Sequence, residues 1–255
     1  IDQLMIAKYI NLENVVFYTI AFFIGNVINT PLRASLGISR PIVSAKIEQE
    51  EYSKLNSLFK RASLGLTLVA GWLFVGIVVS LQMVYELLPF EFGEGVEVTL
   101  LIASGKLIST TMGWNGIILN MSQRYRMAFW MNIGVIAATI GANLYFIPRF
   151  GVMGVALVAL LVIVFNNSWK TFYLWKHFGL NPFSLQLGGV LLWMTAVAAG
   201  FFYWPLNVNP WWGIPVKSAL ASLIFLAPLY FLRVFPDFNA LVNPILEKWR
   251  KRGAA

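Results

Sequence analysis

The stretch LLIASGKLISTTMGWNGIILN, Leu100 to Asn120, decides what kind of protein this is. It is long and apolar enough to cross lipid, where a helix needs about 20 residues. Yet it carries Lys106. A soluble core and a bilayer read that lysine differently, and composition chooses between them. Of 255 residues, 58% are hydrophobic and 12% charged, with a mean hydropathy of +0.71. Soluble domains carry about 25% charged residues, so the solvent for most of this surface is a bilayer. The 20 Phe, 10 Trp and 9 Tyr fit, because aromatic rings gather at membrane interfaces.

Seven further-reaching apolar stretches follow a shorter first segment, at roughly 15–37, 61–85, 98–120, 128–147, 152–175, 184–204 and 214–234, each bounded to within about 2–4 residues. Turn-forming sequences separate them: NLEN, PFEFGEG, PRFG, GLNPF and NVNPWWG. The expected fold class is all-α, a polytopic transmembrane helical bundle of about seven full spans plus the end of a truncated one. IDQLMIAKYI reads as the last turns of that truncated helix, so the chain is expected to be a C-terminal portion. No basic n-region precedes a short apolar stretch, so no signal peptide is expected.

Basic residues set the orientation. One alternating set of connections holds Arg40, Lys46, Lys54, Lys60 and Arg61, then Arg124 and Arg126, then Lys170 and Lys176, then Lys248, Arg250, Lys251 and Arg252. The other holds Lys8, Arg149 and Lys217, with Glu13, Glu86, Glu91, Glu94 and Glu97. The first set is expected in the cytoplasm, and the C-terminus with it. Two segments read as interfacial. From Lys46 to Arg61 charges alternate in sign while Tyr52, Leu55 and Phe59 recur at helical spacing. In the tail, 236–255, Phe238, Leu241, Val242, Ile245, Leu246 and Trp249 form an amphipathic face before a basic cluster, the pattern of a helix lying on anionic membrane lipids. The expected division is therefore a membrane lobe over 1–235 and a cytoplasmic tail over 236–255.

At about 100° per residue, Lys106, Ser109, Thr110, Gly113 and Asn120 share roughly 100° of one helix, with Asn115 opposite. On 15–37, Thr19, Asn26, Asn29, Thr30 and Arg33 do the same, and Pro31 should kink that helix. A charge near the bilayer centre costs about 2.5–3.5 kcal/mol on the insertion scale. Both stripes should therefore face protein or a wet, electropositive cavity, for which an anionic solute is the natural partner. The competing reading is that Lys106 snorkels, Arg33 obeys the positive-inside rule, and the Asn and Thr residues only join helices. Asp2 is the one acid close to a span, placed to pair with Lys106 or to couple an ion.

Other chemistries are poorly served. The chain has no Cys and one His, which excludes thiol catalysis and leaves no metal site of Cys or clustered His; no cofactor is expected. His177 lies at a membrane edge. Glu86, Glu91, Glu94 and Glu97 read as a solvated outer loop, and no P-loop is present. A membrane enzyme of polysaccharide assembly is thus a rival without an intramembrane base. The basic balance follows topology, which argues against nucleic acid as a partner.

The stretch IDQLMIAKYINLENVVFYTIAFFIGNVINTPLRA resembles the polysaccharide biosynthesis proteins of the multidrug/oligosaccharidyl-lipid/polysaccharide exporter superfamily. So do PIVSAKIEQEEYSKLNSLFKRAS, GKLISTTMGWNGIILNMSQRYR and the hairpin NLYFIPRFGVMGVALVALL. The resemblance runs from residue 1 to about 235 and rests on the order of individually degenerate motifs. It implies a flippase of the bacterial inner membrane, for O-antigen or capsule, and no enzyme. Two six-helix lobes would rock about a central cavity, with this chain as the second lobe and its missing N-terminal lobe as partner. The cargo implied is an undecaprenyl-diphosphate-linked oligosaccharide. Lys106 and Arg33 would then meet the diphosphate, and Asn26, Asn29, Asn120 and Thr110 the sugar. A drug or cation exporter of the same superfamily is the nearest alternative.

Overall fold

A computed structural model describes residues 2–88, 95–204, 209–232 and 234. The described residues are helical throughout, without a strand: α1 (Asp2–Tyr9), α2 (Leu12–Asn26), a 3-10 turn (Val27–Asn29), α3 (Thr30–Glu48), α4 (Tyr52–Glu86), α5 (Gly95–Thr111), α6 (Trp114–Met121), α7 (Tyr125–Phe178), α8 (Leu185–Phe202) and α9 (Pro210–Phe231). Five helices are long and apolar enough to cross a membrane: Leu12–Glu48 taken through its break, Tyr52–Glu86, Tyr125–Phe178, Leu185–Phe202 and Pro210–Phe231. This is the build of a membrane-embedded protein, because in lipid each backbone N–H and C=O has to be satisfied within its own segment.

Local chemistry sets the ends. Asn11 caps α2 by accepting from the Asn14 amide at 2.8 Å. Ser184 caps α8 through the Leu187 amide at 3.1 Å. Asn209 and Pro210 open α9, Pro standing where no intrahelical N–H is needed. Gly179, with φ 67°, closes α7.

The 54 residues of α7 would measure about 81 Å if straight, far more than a bilayer. They fold back instead. Gly151 takes φ 56° and ψ −138°, a conformation that favours glycine strongly. A Cβ on Gly154 would lie 2.6 Å from the Phe146 carbonyl oxygen, although eight residues of straight helix put these positions about 12 Å apart. Farther along, Lys170 Nζ donates to Asn132 Oδ1 at 3.0 Å. Those two residues stand nineteen positions on either side of Gly151, so α7 is a helical hairpin with antiparallel arms, 125–150 and 152–178. Pro148 ends no helix; it sits inside the first arm, three residues before the reversal.

Three apolar clusters stack along the bundle. One joins Ile6, Tyr18, Ile102, Ile147 and Val155 at the hairpin-turn end. One joins Val43, Leu55, Phe59, Ile118, Met131 and Leu174 at the opposite end. The broadest brings α8 and α9 onto α4 through Met194, Ala198, Ala221 and Phe225. Two expectations are corrected here. The segment around 46–61 is no surface-lying helix: residues from Tyr52 are the first turns of α4, and Leu55 and Phe59 are fully buried. With 35 residues α4 is about 52 Å long, so it runs past the hydrocarbon and its apolar stripe packs on α3, α6 and α7. Lys217 is no loop residue: α9 starts at Pro210, and Lys217 is 3% exposed on the face it shares with Gly213, Ala221 and Phe225. The amphipathic tail, with Glu91 and Glu94, lies outside the described residues.

The α3–α4 turn is held by Glu51, which accepts from Lys46 and, at 2.5 Å, from Lys54. Hydrogen bonds from Lys46 and then Lys54 hold its carboxyl below the usual range. A lowered carboxyl pKa means a contribution that is whole above the ordinary value of 4.5 and lost as pH falls through the lowered one. Protection of the 50–52 amides against hydrogen exchange, relative to their intrinsic rates, should therefore fall as pH drops through the lowered value, and Glu51→Gln should remove that pH dependence. The hairpin gives a second expectation. Gly154→Val drives a side chain into backbone and should cost about 1–3 kcal/mol. Gly141→Ala, with open space at its Cβ, should be neutral or slightly favourable; thermal unfolding in detergent separates the two.

Candidate functional site

Two helix breaks lie side by side. In the first, Pro31 has no N–H to offer Val27, and the chain tightens so that the Thr30 amide takes the Val27 carbonyl. In the second, α5 ends at Thr111 and α6 begins at Trp114. Thr110 joins them. It is fully buried, and its hydroxyl faces the Ile28 carbonyl at 3.3 Å, Asn29 Oδ1 at 3.1 Å and its own Lys106 carbonyl at 2.9 Å. Leu32 packs directly on Gly113. On the other side Thr67 donates to Thr111 at 2.9 Å and ties α4 to the same level. Thr110 and Asn29 therefore hold helices together at this point.

The cations stand beside this junction. Lys106 is half-buried with Nζ 4.4 Å from the centroid of the Phe22 ring. Arg33 is exposed and donates to Asn26 Oδ1 at 3.2 Å. Among the described residues neither cation forms an ion pair; the ion pairs found there belong to Glu51. A cation–π contact is worth about 0.5–2 kcal/mol, less than the roughly 2.5–3.5 kcal/mol that a central charge costs on the insertion scale.

Asp2 is engaged elsewhere. It accepts from Tyr18 Oη at 3.2 Å and from Asn143 Nδ2 at 3.0 Å, linking α1, α2 and the first arm of α7. Asn143 is fully buried, and its Oδ1 has no partner among the described residues. Thr19 accepts from Gln3 at 3.0 Å. Asn120 is exposed on α6, fourteen residues and one helix break beyond Lys106. The structure thus places Arg33 against Asn26 and Lys106 against Phe22, gives Asp2 to Tyr18 and Asn143, commits Thr110 and Asn29 to packing, and leaves Asn120 apart.

Helical-wheel reasoning missed a second polar cluster. Asn115, placed opposite the stripe, donates from Nδ2 toward the Asn167 carbonyl and Oδ1, both at 3.2 Å, and Thr171 Oγ1 at 3.3 Å. All three residues are buried, between α6 and the second arm of α7. The signal was available in Asn166-Asn167 within an otherwise apolar run. A cleft of about 560 Å³ also opens at the hairpin turn, lined by Asn14, Phe17, Val98, Arg149 and Phe150; it shares no residue with the cationic set. No metal-ligating group of His, Cys, Asp or Glu occurs among the described residues.

No family model, curated protein or solved structure matches this chain.

Interhelical hydrogen bonds in membrane proteins average about 0.6 kcal/mol and reach about 1.7. Asn115→Leu strands two buried partners and should destabilise the protein by about 1–2 kcal/mol. Asn120→Leu should change stability little. Thermal unfolding of the two variants checks the contrast.

Proposed function

We propose that this chain is the second lobe of an alternating-access flippase that carries an undecaprenyl-diphosphate-linked oligosaccharide across a bacterial inner membrane. One observation supports the reading above the rest: Lys106 and Arg33 stand on helices that Thr110 and Asn29 join, and neither forms an ion pair among the described residues. Cations without a carboxylate partner favour an anion beside them. Their place beside two broken helices adds support, since membrane carriers bind cargo where helices are discontinuous. In this reading the diphosphate meets Lys106 and Arg33, and Asn26 orients Arg33. Exposed Asn120 offers a polar contact farther along the path. The prenyl tail stays in lipid.

The same reading takes each arm of α7 as a full crossing and α5–α6 as one interrupted crossing, for seven in all. The basic connections then face the cytoplasm, and the C-terminus with them. A cation exporter would want acids where these bases stand. Asp2, the acid described there, already holds Tyr18 and Asn143.

The test deletes the gene that encodes the chain and measures surface polysaccharide and accumulated lipid-linked oligosaccharide. Wild type should restore the surface glycan. Lys106→Ala and Arg33→Ala at normal abundance should each lower export about tenfold or more, the equivalent of one lost charge-assisted hydrogen bond of about 1.5–3 kcal/mol. Lys106→Arg should retain part of it. Unchanged glycan after deletion, in a host without a second flippase, would sink the proposal; full restoration by both alanine variants would remove the cationic site from it.

A further inference from the structure

The second arm of α7 carries a polar stripe that transport does not use. Asn166, Lys170, Tyr173 and His177 follow at i, i+4, i+7 and i+11, so they share one face within about 60°. That face is turned away from the Asn167, Thr171 and Leu174 row that packs on α6. Near its open end the first arm comes alongside. Arg124, just before α7, donates from Nη1 to Tyr173 Oη at 3.3 Å. Asn132 accepts from Lys170 at 3.0 Å. His177 stacks on the Tyr173 ring, with 4.1 Å between centroids, and its Nδ1 lies 3.0 Å from the Tyr173 carbonyl.

These groups have capacity to spare. An ammonium has three donors and a guanidinium five; Lys170 uses one and Arg124 one among the described residues. The Tyr173 hydroxyl accepts from Arg124 and keeps its own proton to donate. Neither Arg124 nor Lys170 forms an ion pair there. Arg124 is exposed and Lys170 half-buried. The positive-inside rule asks only that such residues lie on one side of the membrane. It does not ask that two cations from two arms converge on one tyrosine.

Depth identifies the partner. Lys170 is nineteen residues from the turn at Gly151, about 28 Å of helix, and the hydrocarbon core is about 30 Å thick. Lys170 therefore reaches the level where acyl chains give way to headgroups. Phe172 and Trp175, exposed on the opposite side of the same arm, lie at this level as interfacial aromatics do. We infer that Arg124, Lys170 and Tyr173 form a binding site for the phosphate of an anionic phospholipid at the open end of the α7 hairpin. Arg124 and Lys170 supply the charge, and Tyr173, propped by His177, supplies a neutral donor. The site rests on the hairpin crossing the bilayer, as proposed above, and not on what is transported.

The experiment uses the full protein purified in detergent and titrated with phosphatidylglycerol or phosphatidylcholine, counting bound lipids by native mass spectrometry. Wild type should hold one phosphatidylglycerol molecule at least tenfold more tightly than phosphatidylcholine. Arg124→Gln with Lys170→Gln should lose that preference, and the single Arg124→Gln should weaken it if the double variant does not fold. Arg126→Gln with Lys176→Gln removes the same charge from the same end of the hairpin, Lys176 lying about 9 Å of helix beyond Lys170, and should keep it. Equal loss in both double variants, no loss in either, no preference for phosphatidylglycerol, or preferential binding of a prenyl diphosphate at this site would each overturn the inference. Single cysteines at 126 and at exposed position 150 in the otherwise cysteine-free chain, labelled with an impermeant maleimide, report the crossing separately. Labelling from opposite membrane sides with no selective lipid defeats the lipid site alone; labelling from the same side defeats the crossing and the site with it.

Discussion

Backbone polar groups in lipid have nowhere to turn but inward, and the hydrogen bonds of Thr110 are where that constraint is felt most. Pro31 removes an amide from one helix, and α5 stops near the same level. Each break alone would release carbonyls into hydrocarbon. Side by side they meet at one hydroxyl, whose single proton has the Ile28 carbonyl, Asn29 Oδ1 and the Lys106 carbonyl of its own helix within reach. Leu32 on Gly113 and Thr67 on Thr111 complete the junction. The position of Lys106 follows from it, because Lys106 stands one helical turn from Thr110.

The helices themselves were legible in the sequence. Apolar length and turn residues placed them, since span length and the punctuation of Pro, Gly and Asn are local properties. Pro31 foretold its break, and the hairpin around PRFG was visible before its geometry was known. Phase was less legible. A wheel drawn through 98–120 assumes one unbroken helix. The wheel placed Asn115 opposite the stripe and gave it no partner, whereas it faces Asn167 and Thr171 of the second arm of α7.

Depth and pairing were harder still. Lys217 was grouped with the connections for orientation although the expected span began at about 214, and Pro210 starts α9 earlier still and carries the lysine well inside. Leu55 and Phe59 looked like the apolar face of a surface helix. They are the apolar face of a helix end, covered by neighbours that sequence alone does not position. Likewise Asp2 appeared as a partner for Lys106. Its direct hydrogen bonds go to Tyr18 and Asn143, and the latter is 141 residues away in the chain.

The reversal at Gly151 has a consequence for how the protein is made. Two apolar arms joined by so tight a turn leave no slack for one to enter the bilayer while the other waits outside. They should be handed from the ribosome to the membrane as a single object and keep a common orientation from the start. A change of topology in the region would then have to invert both arms or neither. The glycine thus ties the fate of 54 residues during synthesis to the conformation of one.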